Sequence, residues 1–144
     1  MREQLVQDTD HVMLARLVTE LFWRIDHGKA DSVHEMFTAD GQMSMGPTAL
    51  RGREELQEWG RKRVHVSYRT LHLCTNMRFV TNGDDAATGH VALTVYQDDS
   101  EGPGTTLPAA VGEDQDRFVR TSEGWQFECR SFNVAFARQS PRPT

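Results

Sequence analysis

Cysteine is nearly absent from this 144-residue chain: there are two, Cys74 and Cys129. Two isolated thiols form neither a CxxC redox pair nor a disulfide framework. Each falls in a strand-like run, where a small buried hydrophobe is the reading that fits. Long apolar runs are missing too. No stretch approaches the roughly 20 residues that span a bilayer, and "MREQLVQDTD" lacks the apolar core of a signal peptide. Reduced thiols in a cytoplasmic protein are therefore expected. Positive charge is in deficit, with 16 Lys and Arg against 21 Asp and Glu. That balance argues against a nucleic-acid-binding surface. The short "RKR" at 61–63 follows an acidic stretch and reads as a solvated helix end. GxSxG is absent, so a nucleophile elbow is not indicated. "GPTALRGR" holds no phosphate-binding glycine pattern. The histidines are scattered without ligand spacing, so neither a metal nor an organic cofactor is expected.

What is present is a helical pattern followed by strand patterns. Leu14, Leu17, Val18, Leu21, Phe22 and Ile25 recur at the spacing of one helical face. "DTD" at 8–10 offers caps, and Gly28 ends the helix. "ADSVHEMF" reads as a short second helix capped by Asp31, and "TADGQMSMGP" as a turn and a short strand. "GREELQEWGRKR" is a third helix with acids first and bases last, as the helix dipole prefers. Beyond it lie "VSYRTLHLCTNMRFV", "AATGHVALTVYQDD", "EDQDRFVRT" and "GWQFECRSFNVAFAR". These are four strands separated by "NGDD", a Gly/Pro-rich loop and "SEG". Helices first and antiparallel strands after make an α+β plan. One domain over 8–138 is expected, with frayed tails at 1–7 and 139–144.

Three residues carry chemistry. Asp26 lies about 40° around the helix from Phe22, at the border of the apolar stripe. It fits the rim of a cavity or an ordinary helix end. His72 shares a strand face with Tyr68, Thr70, Cys74 and Asn76, and Leu71, Leu73, Met77 and Phe79 fall mainly on the other. A lone strand histidine is more often a hydrogen-bonded structural residue, yet it is the best general base near neutral pH. Arg130 shares a face with Phe132, Val134 and Phe136. It needs either a buried carboxylate or a developing anion to stabilise. Arg120 reads as an exposed strand-end charge.

The ordered set "LFWRIDHGKADSVHEMFTADGQMSM…LRGREELQEW", "TLHLCTNMRF…NGDDAATGHVAL" and "DRFVRTSEGWQFECRSF" resembles the SnoaL-like branch of the nuclear transport factor 2-like superfamily. The likeness spans residues 9–138. It implies a cone-shaped α+β barrel, with three N-terminal helices on a curved, mostly antiparallel sheet. An aspartate closing helix one, with a histidine just ahead of "TN", is similar to the scytalone dehydratase, lindane dehydrochlorinase and bile-acid dehydratase subgroup. The resemblance matches Asp26 and His72 to the orienting acid and base of cofactor-free eliminations. It implies a lyase or isomerase acting on a small hydrophobic molecule, and a dimeric or trimeric homo-oligomer. A polyketide cyclase using the same dyad, or a non-catalytic ligand-binding or dimerisation module, is the alternative. The expected cavity is lined by Phe22, Trp23, Asp26, His72, Tyr96, Arg130 and Phe132. Scytalone dehydratase has a second histidine on the next strand, where this chain reads "LTVYQDD".

Overall fold

The computed structural model describes residues 2–138, and the expected tail at 139–144 lies outside them. Helix α1 (Asp8–Asp26) buries Leu14, Val18, Leu21, Phe22 and Ile25, the stripe its sequence spells out. Asp8 and Asp10 sit inside its first turn, favourable to the helix dipole. They are not caps; Gln7 precedes the helix and makes no side-chain capping bond. The far end is fixed by backbone geometry. Gly28 adopts φ +75°, and the Lys29 N–H donates to the Arg24 carbonyl at 2.8 Å. That is the six-to-one bond of a glycine-terminated helix, and it makes Asp26 the last helical residue.

A 3-10 helix (Ala30–Met36) follows, preceded by Lys29 rather than capped by Asp31. Helix α2 (Gly52–Arg63) buries Leu56 and Gly60. A Cβ at Gly60 would collide with the carbonyl of Ala30, so the two helices touch backbone to backbone there.

Six strands form one sheet: β1 (Phe37–Met45), β2 (Thr48–Arg51), β3 (Arg69–Thr81), β4 (Ala86–Asp98), β5 (Ala110–Thr121) and β6 (Gly124–Ala137). The order is β2-β1-β6-β5-β4-β3. All pairs are antiparallel except β1 with β6, which is parallel. The fold is thus the expected α+β arrangement, with helices against a mostly antiparallel sheet. β2 is an addition to the sequence reading, a four-residue edge strand too short to show alternation. The first residues differ as well. The Val6 N–H donates to Phe79 O at 3.1 Å and the Thr81 N–H to Gln4 O at 2.8 Å. This segment therefore borders β3, satisfying backbone groups that an edge strand leaves open.

The expected faces of β3 hold only as far as Thr75. A bulge lies between Thr75 and Arg78, with Asn76 at φ +51°. An extra residue inverts the alternation beyond it. Before it, Leu71 and Leu73 point away from the core and are 52% and 43% exposed. After it, Phe79 is buried against His11 and Phe118. A second bulge interrupts β5–β6 pairing at Gly112, and beyond Phe132 the β6 residues Val134 and Phe136 are exposed. The core is continuous from α1 through Phe37, Phe118 and Phe127. Cys74 and Cys129 are free and half-buried.

Candidate active site

The α1 terminus delivers Asp26 against the start of β3, where three donors meet its carboxylate. The Thr70 hydroxyl donates to Oδ1 at 2.7 Å, and the His72 main-chain N–H donates to Oδ2 at 2.8 Å. The His72 ring closes the set, with Nδ1 2.6 Å from Oδ1. The pair is sheltered, since the side chains are 12% and 5% exposed for His72 and Asp26. Burial pushes the Asp26 carboxyl up, but the bonds from His72 and Thr70 outweigh it, and its pKa lies below the ordinary value. An ionised Asp26 only accepts, so Nδ1 carries the proton and Nε2 is the nitrogen left with a lone pair.

A cavity of about 380 Å³ opens beside the dyad. Phe22, Trp59, Leu93, Val95 and Phe132 supply apolar wall, and Arg63, Tyr68, Thr70, His72, Gln97 and Arg130 supply polar groups. Phe22 organises two of these. Its ring stacks on His72 at 4.8 Å between centroids, and the Arg130 guanidinium lies 4.5 Å over it.

Arg130 has found a carboxylate. Its Nη2 donates to both oxygens of Asp114 at 3.0 Å, and both side chains are buried, at 3% and 0% exposed. Of the two partners its sequence context allowed, the buried acid is present, while the side chain still lines the cavity. Asp116 stands opposite Arg130 in the sheet register and is buried with no hydrogen bond to either oxygen. Burial, then repulsion from Asp114, push the Asp116 pKa well above the ordinary value. Cys74, on the His72 side of β3, has its pKa pushed up to about 12, first by burial. It is a thiol, not a nucleophilic thiolate.

Of the seven expected residues, Phe22, His72, Arg130 and Phe132 line the cavity, and Asp26 joins them through its bond to His72. Trp23 and Tyr96 do not. Trp23 lies about 100° around the helix from Phe22. It is 45% exposed and stacks on His27 at 4.4 Å. Tyr96 pairs with Leu71, whereas His72 pairs with Val95, so alternation sends Tyr96 to the opposite face of the sheet. There it borders a separate groove with Arg69, Leu71 and Thr105. Trp59 and Arg63 were missed in the sequence, although their spacing of four places them on one helical face. Asp114 and Asp116 were missed as well; their period-two spacing with Phe118 was the available signal. Among the described residues, no group of three or more His, Cys, Asp or Glu is arranged to hold a metal ion. None of the helices described is long and apolar enough to cross a membrane.

Helices packed on a six-stranded, mostly antiparallel sheet give the chain the α+β arrangement of the nuclear transport factor 2-like, or cystatin-like, fold. The chain belongs to the SnoaL-like domain family, which matches residues 8–131. Solved structures repeat the architecture. A protein of unknown function from Mycobacterium tuberculosis, solved as an aspartate-to-asparagine variant, has a TM-score of 0.80 at 23% identity, over 96% of this chain and 84% of that one. A candidate scytalone dehydratase from Novosphingobium aromaticivorans has a TM-score of 0.79 at 15% identity, over 96% and 94%. A protein of unknown function with a cystatin-like fold, from Nostoc punctiforme, gives 0.73 at 19% identity, over 91% and 95%. At these identities the likeness is one of fold. No curated protein matches the sequence.

Proposed function

We propose that this protein is a cofactor-independent lyase or isomerase that removes a proton from carbon in a small, largely apolar molecule. His72 is the general base and Asp26 orients it. The observation that carries this reading is the 2.6 Å contact between His72 Nδ1 and Asp26 Oδ1 at the cavity wall. Asp26 does two things for the base. It holds the tautomer that leaves Nε2 free to accept, and it stabilises the imidazolium once the proton has moved. A module that only binds ligands has no need of such a pair. The proton shuttles between carbon and imidazole, and it returns to another carbon in an isomerisation or to a departing oxygen in a dehydration. The anion left on the substrate needs a cation nearby, and Arg130 is placed to serve, held by Asp114 on one side and Phe22 on the other.

The test is deuterium uptake from heavy water into a panel of cyclic and aryl alkyl ketones, with and without carboxylate substituents. Wild-type protein should catalyse uptake at the carbon next to the carbonyl. His72→Ala should lose about 10²-fold or more of that rate while keeping its circular dichroism spectrum. An unchanged rate in the folded variant places the base elsewhere and contradicts the assignment.

A further inference from the structure

Two guanidinium groups line the cavity, and they differ in one respect. Arg130 is ion-paired with Asp114. Arg63, half-buried at the end of α2, forms no ion pair with any described residue. Its neighbours do: Arg61 and Lys62 reach Glu58 at 3.2 and 3.9 Å. Arg63 turns the other way. Its Nη2 donates to the Thr70 hydroxyl at 2.7 Å, and its guanidinium lies 5.1 Å over the Tyr68 ring. A guanidinium has five N–H donors in a planar fork suited to carboxylate, and one hydrogen bond to Thr70 leaves most of them unused. The nearest acid in this network, Asp26, is already held by three donors and meets Arg63 only through Thr70.

We propose that Arg63 is the anion-binding subsite of this cavity, and that the protein selects ligands in which a carboxylate is carried on a small apolar body. Tyr68 holds the guanidinium plane from one side. Phe22, Trp59 and Phe132 receive the apolar body. The volume of about 380 Å³ corresponds to roughly a dozen water volumes of about 30 Å³ each, which suits a single-ring or two-ring acid. Thr70 ties the subsite to the dyad, since its hydroxyl accepts from Arg63 and donates to Asp26. The anion site and the base are thereby held in one frame.

The inference deepens the proposed function, because it treats the cavity as a substrate site, yet it is tested by binding alone. Benzoate, cinnamate and naphthoate, each paired with its neutral amide, are titrated by calorimetry into wild type, Arg63→Gln, Arg63→Lys and His72→Ala. At least one acid should bind wild type about tenfold or more tightly than its amide. Arg63→Gln should bring that pair to within about twofold, by loss of acid affinity with the amide unchanged. Arg63→Lys, which keeps a point charge without the fork, should lower the ratio about threefold or more. His72→Ala should keep the preference, so a failed base assignment and a failed anion site give different results. The inference is overturned if no acid binds, if acids and amides bind alike, or if the preference survives both Arg63 substitutions.

Discussion

At the scale of single residues, three aspartates, one at the end of α1 and two on β5, are driven in opposite directions by their surroundings. Asp26 meets three hydrogen-bond donors and stays ionised. Asp114 shares the Arg130 cation, though burial, its largest influence, leaves its pKa raised. Asp116 meets no donor and has its pKa raised most. The consequences for stability have opposite signs. Asp26, with a lowered folded value, contributes stability that is complete above the ordinary carboxylate pKa and fades as pH falls through the folded value. Asp116, with a raised value, contributes stability that is complete below the ordinary pKa and is lost as pH rises through the folded value. Asp116→Asn should therefore melt higher than wild type at about pH 8, by on the order of 3 °C for a gain near 1 kcal/mol. The difference should shrink toward about pH 4, near the ordinary carboxylate pKa. Calorimetric scans across pH would show this, and a variant that melts lower at every pH would contradict it.

At the scale of elements, the site depends on where α1 stops and on how closely α2 packs. The glycine-terminated end of α1 leaves Asp26 as its last residue, and α2 presents Trp59 and Arg63 to the same cavity. Gly60 sets the α2 approach. In an exposed helix, Gly→Ala gains about 1 kcal/mol. Here the added methyl meets the Ala30 carbonyl, and Gly60→Ala should instead cost about 1–3 kcal/mol, as overpacking does. Chemical denaturation would measure the loss, and a stabilised variant would show that the 3-10 helix yields freely. The helices were the most legible elements, because a burial period of 3.6 is plain over the 19 residues of α1. Strand faces were legible only up to the bulge at Asn76, since the extra residue leaves no mark in a pattern of alternating residue types. Arg63 was less plain for a different reason. Charge in a basic run does not separate Arg61, Lys62 and Arg63, and only the spacing of four from Trp59 marks the one that turns inward.

At the scale of the whole molecule, Asp26 and His72 are 46 residues apart in sequence, and only the packing of α1 on β3 brings them together. Their pairing was legible through resemblance; the donor set around Asp26 and the Asp114 partner of Arg130 were not, because both depend on three-dimensional neighbours. The outward side of β3 carries Leu71 and Leu73, about half exposed. The homo-oligomer expected from the resemblance can be tested at this apolar surface. The paired substitutions Leu71→Glu and Leu73→Glu should lower the assembly state seen by sedimentation equilibrium, and a wild-type protein that sediments as a monomer would contradict the expectation.

In the proposed mechanism Asp26 holds the His72 ring so that Nε2 is the free base. Nitrogen-15 NMR of the imidazole reads this directly and needs no substrate. In its neutral imidazole form, His72 should show a protonated Nδ1 and a bare Nε2. In Asp26→Asn that single tautomer should give way to a mixture. A proton on Nε2 in the wild-type protein, or a tautomer indifferent to Asp26→Asn, would contradict the account.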